Sequence, residues 1–297
     1  MRIRTPGSPV SELAGKIGTE YLTAPIHVLL AATFSRYFPG FRQKVLFYQV
    51  RRRQNAIGML QAADIAMQYG YSEVTIVEFG VASGGGIMNM YDISKYVEKE
   101  TGIAFKIYGF DSGVCLYKPV DYRDHPEAFT EGDYPLIDKD LLAQNTDGSV
   151  ELIIGNVQKT VPGFVEKLSP DAPLAFFSVD VDYYSFAAGC LKILMGDPEC
   201  YLPHFWCYFD DIALASANHW CDELLAIEEF NHANKLRKID KSDMLKTYRV
   251  FKLCDWLERM RTVHVLDHPA RQVTEIVSRD IKRMANAALG IYKTSRD

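Results

Sequence analysis

The sequence predicts an α/β fold: a Rossmann-like sheet of about seven strands with helices on both faces, preceded by an N-terminal helical extension. Two observations predict it. From about residue 74 onward, short apolar runs of strand length alternate with stretches of helical periodicity, the signature of βαβ units. Four of those runs also end in acidic or glycine-rich breaks, as strands do when their carboxyl ends share one rim.

The elements follow in order. From Ser11 to about Gly70 the apolar residues recur at helical spacing, as in Ala56, Leu60, Ala63 and Met67, with a break near Phe38-Pro39-Gly40. This stretch, residues 1–70, is expected to be a lid or a dimer contact, and residues 71–297 the main domain. Strands are expected at 74–79, 104–110, 150–154, 174–179 and 206–209, with weaker candidates at 262–266 and 289–293. A helix begins near Gly84 and runs through "MNMYDISKYVEKE" to Gly102, a helix-stop glycine. The segment 232–261 mixes apolar and basic residues and reads as a solvated helical face.

Composition narrows the function classes. With 297 residues, 48% hydrophobic and 24% charged, the chain can bury a sizeable core. A formal charge of -5 at pH 7 gains little from phosphate backbones, and Arg51-Arg52-Arg53 is too short a basic run to reverse that. No nucleic-acid partner is expected. The six cysteines form no CxxC pair and no zinc-finger spacing, which suits a reducing compartment. The N-terminus has no apolar run of signal-peptide length, and "PIHVLLAATF" is too short to span a bilayer. The expectation is a cytoplasmic protein without a membrane partner, with homo-oligomer formation left open.

The chemistry concentrates at strand ends. In "VTIVEFGVASGGG", Glu78 closes the first strand, and Gly80, Gly84 and Gly85 form a turn that lets a ligand approach the backbone. "IYGFDSG" closes the next strand with Asp111, whose carboxylate is suited to a ribose diol. This is not the GxGxxG spacing of a pyrophosphate-binding loop. Two further strands end in acids: Asp180 and Asp182 in "FFSVDVDYY", Asp210 and Asp211 in "WCYFDDI". Asp182, Asp210 and Asp211 on one rim would repel one another, and a hard divalent cation such as Mg²⁺ relieves that repulsion. The alternative for each acid is a solvated or helix-capping role. His219, after the paired aspartates, is a candidate auxiliary base or a polar helix residue.

With those residues in place, the chain resembles the macrocin O-methyltransferase family of S-adenosylmethionine-dependent enzymes over about residues 61–230. "VEFGVASGGG" resembles its cofactor loop, "IYGFDSG" its ribose-binding strand end, "GNVQKTVP" its segment before the fourth strand, and "VDVDYYSF" and "YFDDI" its metal-binding acids. The resemblance implies a class I methyltransferase sheet of seven strands with the last antiparallel. It implies S-adenosyl-L-methionine held through Glu78, Gly80 and Asp111, in motifs that also carry Ser83, Gly84, Ser112, Asn156 and Asp180. Mg²⁺ or another divalent cation falls to Asp182, Asp210 and Asp211, with Asp182 both ligand and base. The acceptor is then a small-molecule hydroxyl, on a sugar or glycosylated natural product. The chain departs from the family in lacking a Pro-Gly-Gly turn before the fifth strand and in the long segment after Asp111. A nicotinamide-dependent oxidoreductase and a non-catalytic scaffold on the same fold are the rival readings.

Overall fold

The structure is a computed structural model; it describes residues 26–271 apart from 36, 38, 39, 115, 117, 129, 130, 132–141, 143, 244, 248, 250, 252 and 253. Seven strands form one sheet: β1 (Glu73–Phe79), β2 (Ala104–Asp111), β3 (Val150–Ile154), β4 (Leu174–Val179), β5 (Tyr201–Phe209), β6 (Arg237–Lys241) and β7 (Met260–Val265). Their order is β3-β2-β1-β4-β5-β7-β6. The first five are parallel, and β7 runs antiparallel between β5 and β6. This is the seven-stranded Rossmann-like sheet, with its one antiparallel strand, anticipated from the sequence. Connections leave β1 toward one edge and β4 toward the other, so a crevice opens beyond the carboxyl ends of these two central strands.

The strands read as continuous apolar runs because both faces are covered. All six residues of β4 are buried, as are six of the seven in β1. Helix α1 (Ile26–Ser35) and the short α2 (Phe41–Leu46) lead into α3 (Arg53–Tyr69), which packs on β1, β4 and β5. Gly58 permits this approach, since a Cβ there would lie 2.3 Å from the Phe176 ring of β4. Helix α4 (Gly85–Thr101) follows β1 and ends at Gly102, left-handed at φ 77°. Helices α5 (Val157–Val165), α6 (Tyr184–Cys190) and α7 (Asp222–Ala233) complete the crossovers, and the short α8 (Asp255–Arg259) precedes β7. Phe79, Phe110, Phe177, Phe205 and Phe209 pack edge-on or tilted through the core, with centroids 4.9–6.4 Å apart. No helix among the described residues is long and apolar enough to cross a membrane.

Two expectations need correction. Strand β5 starts at Tyr201 rather than Trp206: Pro203 masks the first half, and the β4–β5 register shifts there, where a residue without an N–H is tolerated. The segment 232–261 is not one helical face. It holds β6, an edge strand whose "RKIDK" buries Ile239 and Arg237 while exposing Asp240 and Lys241. The candidate strand at 289–293 lies outside the described residues.

Candidate functional site

The turn after β1 is organised by backbone contacts. Gly80 is left-handed at φ 85°, and its N–H donates to Phe110 O at 2.9 Å, while Asp180 N donates to Phe79 O at 3.0 Å. The three central strand ends are thereby tied together. Asp111 holds the loop from the other side, with Oδ2 accepting from Ala82 N and Oδ1 from Gly113 N, both at 2.9 Å. A carboxylate oxygen accepts more than one hydrogen bond, so both oxygens keep capacity for a diol.

A cleft opens at this rim. Of the residues singled out in the sequence, Gly80, Asp111, Ser112, Asn156, Asp180 and Asp182 line it. Val114, Leu116, Val157 and Phe186 give it an apolar wall of the kind that takes a flat heterocycle. Asn156 caps α5 by accepting from Gln158 N at 2.8 Å, and Ser112 Oγ donates to Val114 O at 2.5 Å. Gly84, left-handed at φ 80°, is the uncapped start of α4, and Ser83 beside it is exposed.

Glu78 lies beneath this turn and is fully enclosed. A Cβ on Gly86 would stand 1.7 Å from its Oε1, so only glycine leaves the carboxyl room. Its Oε2 has no hydrogen-bond partner among the described residues. Burial pushes its pKa up to about 8; Arg52 and the Ile87 N–H act against that rise, and Asp180 and Asp111 add to it. An acid whose folded pKa is above its unfolded value of 4.5 binds more protons when folded, so its stabilising contribution declines from about pH 4.5 to about pH 8. Glu78→Gln is therefore expected to exceed the wild type in stability by a few kcal/mol above about pH 8 and to lose that advantage toward pH 4.5. Urea denaturation at a series of pH values reads the difference; parallel curves for the two proteins would sink the assignment.

The second acid group sits where β4 and β5 end. Asp182 is buried and left-handed at φ 62°, and Asp211 is buried with Oδ2 unpartnered among the described residues. Burial, then Asp182, Asp180, Asp210 and Asp222 in turn, push the Asp211 pKa up to about 8. Behind it, Glu223 is buried with one oxygen accepting from Asp211 N at 3.0 Å and the other without a partner among the described residues. Asp180 is raised to about 7 by burial and Asp210, opposed by Arg52 and Arg259. The site gathers more buried carboxyl groups than the two described cations that act on it, Arg52 and Arg259.

Asp210 is engaged differently. Its Oδ1 accepts from the Tyr208 hydroxyl at 2.5 Å and from Arg259 Nη1 at 2.8 Å. Among the described residues no set of three or more His, Cys, Asp and Glu side chains is arranged to hold a metal ion. His219 is exposed and outside the cleft lining, its Nδ1 3.5 Å from Glu228. A different histidine is built in: His125, buried and left-handed at φ 53°, places Nδ1 2.5 Å from Asp222 Oδ2. Its neighbour Asp124 accepts from Ser185 N at 2.9 Å, so the segment after β2 is bolted to the starts of α6 and α7. Sequence reasoning missed Arg52, Arg259 and His125, because no spacing links them to the strand-end acids.

No protein-family model matches the chain, and no curated protein matches it. Solved structures of similar shape include the O-methyltransferase NovP, 14% identical, with a TM-score of 0.48 over 71% of this chain and 79% of that one. The calicheamicin methyltransferase CalS11 is 18% identical, with a TM-score of 0.44 over 76% and 86%. An O-methyltransferase from Bacillus cereus in complex with SAH is 11% identical, with a TM-score of 0.39 over 84% and 97%. At such identities the likeness is one of fold.

Proposed function

We propose that the chain is an S-adenosylmethionine-dependent O-methyltransferase that uses a divalent cation and acts on a hydroxyl of a small molecule, a sugar-bearing one by preference. The observation that carries this reading is the cleft at the β1–β4 switch point. It brings Asp111, a hydrogen-bond acceptor for a diol, and an apolar wall into one cleft with Asp182. S-Adenosylmethionine supplies a methyl group already electrophilic on its sulfonium, so the chain has chiefly to align an acceptor oxygen and remove its proton.

The donor set fits a cation with limits. Asp211 brings an unpartnered buried oxygen, and Asp182 lines the cleft, whereas Asp210 can join only through Oδ2 because Oδ1 holds Tyr208 and Arg259. Two carboxylates with water completing the shell is a common Mg²⁺ arrangement. Such a cation, held by Asp182 and Asp211, would supply Lewis acidity that eases loss of a hydroxyl proton. Asp182 is then the proton acceptor at the cleft, and Arg259 and Tyr208 fix the orientation of Asp210.

Calorimetric titration with S-adenosylhomocysteine, with Mg²⁺ and after EDTA, tests this directly, with NADH as control. The expected result is S-adenosylhomocysteine binding under both conditions, none for NADH, and methyl transfer that is lost on chelation and restored by Mg²⁺. Binding of NADH alone would transfer the reading to an oxidoreductase; binding of neither would leave a scaffold.

A further inference from the structure

The connection from β6 to β7 starts and ends at the carboxyl rim of the sheet, because β7 runs antiparallel and begins where the parallel strands stop. Its helix α8 packs against the turn Asp211–Ala213 and against α3, so it borders the acid group on the β7 side. Phe251 and Trp256 from this connection enclose Tyr48, with ring centroids 5.0 and 5.6 Å from it, and the Tyr48 hydroxyl donates to Phe251 O at 3.0 Å. Tyr48 is buried and left-handed at φ 57°, a backbone state that a bulky side chain adopts only under constraint. Cations and N–H donors gather around its ring. The Arg53 guanidinium stands 4.9 Å over it, and Arg249 lies within electrostatic reach of its hydroxyl. Among the described residues Arg249 has no hydrogen bond and no ion pair, and no carboxyl group acts on it. Its Nε and the Trp256 Nε1 are both buried without an acceptor there, and burial lowers the Arg249 pKa from the ordinary arginine value. Arg52 and Arg259 act on Asp180; Arg249 has no such counterpart. A buried charged donor left unanswered is among the costliest polar groups a fold can keep, which points to an acceptor from outside the chain.

We propose that Arg249, with the Trp256 indole N–H, binds an anionic group of the acceptor, a phosphate or a carboxylate, while the hydroxyl to be methylated lies at Asp182. The inference rests on the methyltransferase reading and narrows its acceptor to an anionic hydroxyl compound, such as a sugar phosphate or a uronic acid. A planar guanidinium suits either group, since it meets both through two parallel donors. The division of labour follows from charge: the strand-end carboxyl groups repel an anion placed among them, so the anion is held by the neighbouring connection and only the neutral hydroxyl enters the acid group.

The test is calorimetric titration with inorganic phosphate and with acetate, at constant ionic strength in chloride, on wild type, Arg249→Gln, Arg249→Lys and Trp256→Phe. Each titration is run with and without S-adenosylhomocysteine, and circular dichroism checks that each variant is folded. The expected result is saturable binding of at least one anion by the wild type, undiminished by S-adenosylhomocysteine and weakened roughly tenfold or more in Arg249→Gln. Arg249→Lys, which keeps the charge without the fork, should lose less, and Trp256→Phe, which removes the N–H, should lose severalfold. The tighter of the two anions tells a phosphate-bearing acceptor from a carboxylate-bearing one. No saturable binding of either anion, or undiminished affinity in a folded Arg249→Gln, overturns the proposal; if Arg249→Gln does not fold, undiminished affinity in Arg249→Lys and Trp256→Phe does so. Anion binding at Arg249 in a wild type that fails to bind S-adenosylhomocysteine instead overturns the methyltransferase reading, and the acceptor assignment with it.

Discussion

Asp182→Asn is expected to lower methyl transfer by roughly a hundredfold to ten-thousandfold while leaving S-adenosylhomocysteine binding within a few-fold of wild type. Asn is the informative replacement. Asp182 sits at φ 62°, and Asn is among the side chains that tolerate this region best, so the turn survives while the charge and proton-accepting capacity are lost. The variant also removes the strongest of the charges acting on buried Asp211, so its resistance to urea should equal or exceed that of the wild type. Lost activity with retained or improved stability is the mark of a group kept for chemistry at a cost to the fold. Full activity in a folded Asp182→Asn would remove Asp182 as base and leave the acid cluster without its proposed role.

The central sheet was legible because parallel strands buried on both faces carry their own signal. "TIVEF" and "LAFFSV" are apolar without alternation, and the chain has few other runs of that kind. Their acids were legible for a related reason: in a parallel sheet every strand ends at the same rim, so residues 78, 111, 180 and 210 fall on one side once the strands are assigned. Edge structure carries no such signal. In β6 a single fully buried aliphatic residue, Ile239, sits among charges that suit an edge strand but read locally as a solvated helix. The charge balance of the site was hidden for a different reason. Arg52 comes from the segment before β1, Arg259 from α8 before β7, and His125 from the loop after β2; only the fold brings them to the acids. The sequence could reveal an excess of carboxylates but not which of them already has a cation. That is why Asp210, 2.8 Å from Arg259, differs from Asp211, with which it shares a dipeptide.

Gly80→Ala is expected to cost roughly 2–5 kcal/mol of stability and to abolish cofactor binding. Two effects combine. The left-handed φ of 85° costs any residue with a Cβ about 1 kcal/mol, and the added carbon would stand 1.8 Å from Asp180 O, a backbone atom that cannot rotate away. Relief requires β1 and β4 to separate at the point where Asp180 N bonds Phe79 O, which opens the floor of the cleft. Gly102→Ala is the matched control: its φ of 77° imposes the same backbone cost, but its new Cβ meets nothing within 4 Å. Urea denaturation of both variants therefore isolates the steric part, which should exceed the shared backbone part. If Gly80→Ala is no less stable than Gly102→Ala, the strand ends have slack and the cleft floor is not fixed by that contact. If it is far less stable, Gly80 is required by the architecture of the sheet before any ligand arrives. Its place in the glycine turn then follows first from how closely β1 and β4 approach, and the proposed cofactor would exploit a gap that the backbone already needs.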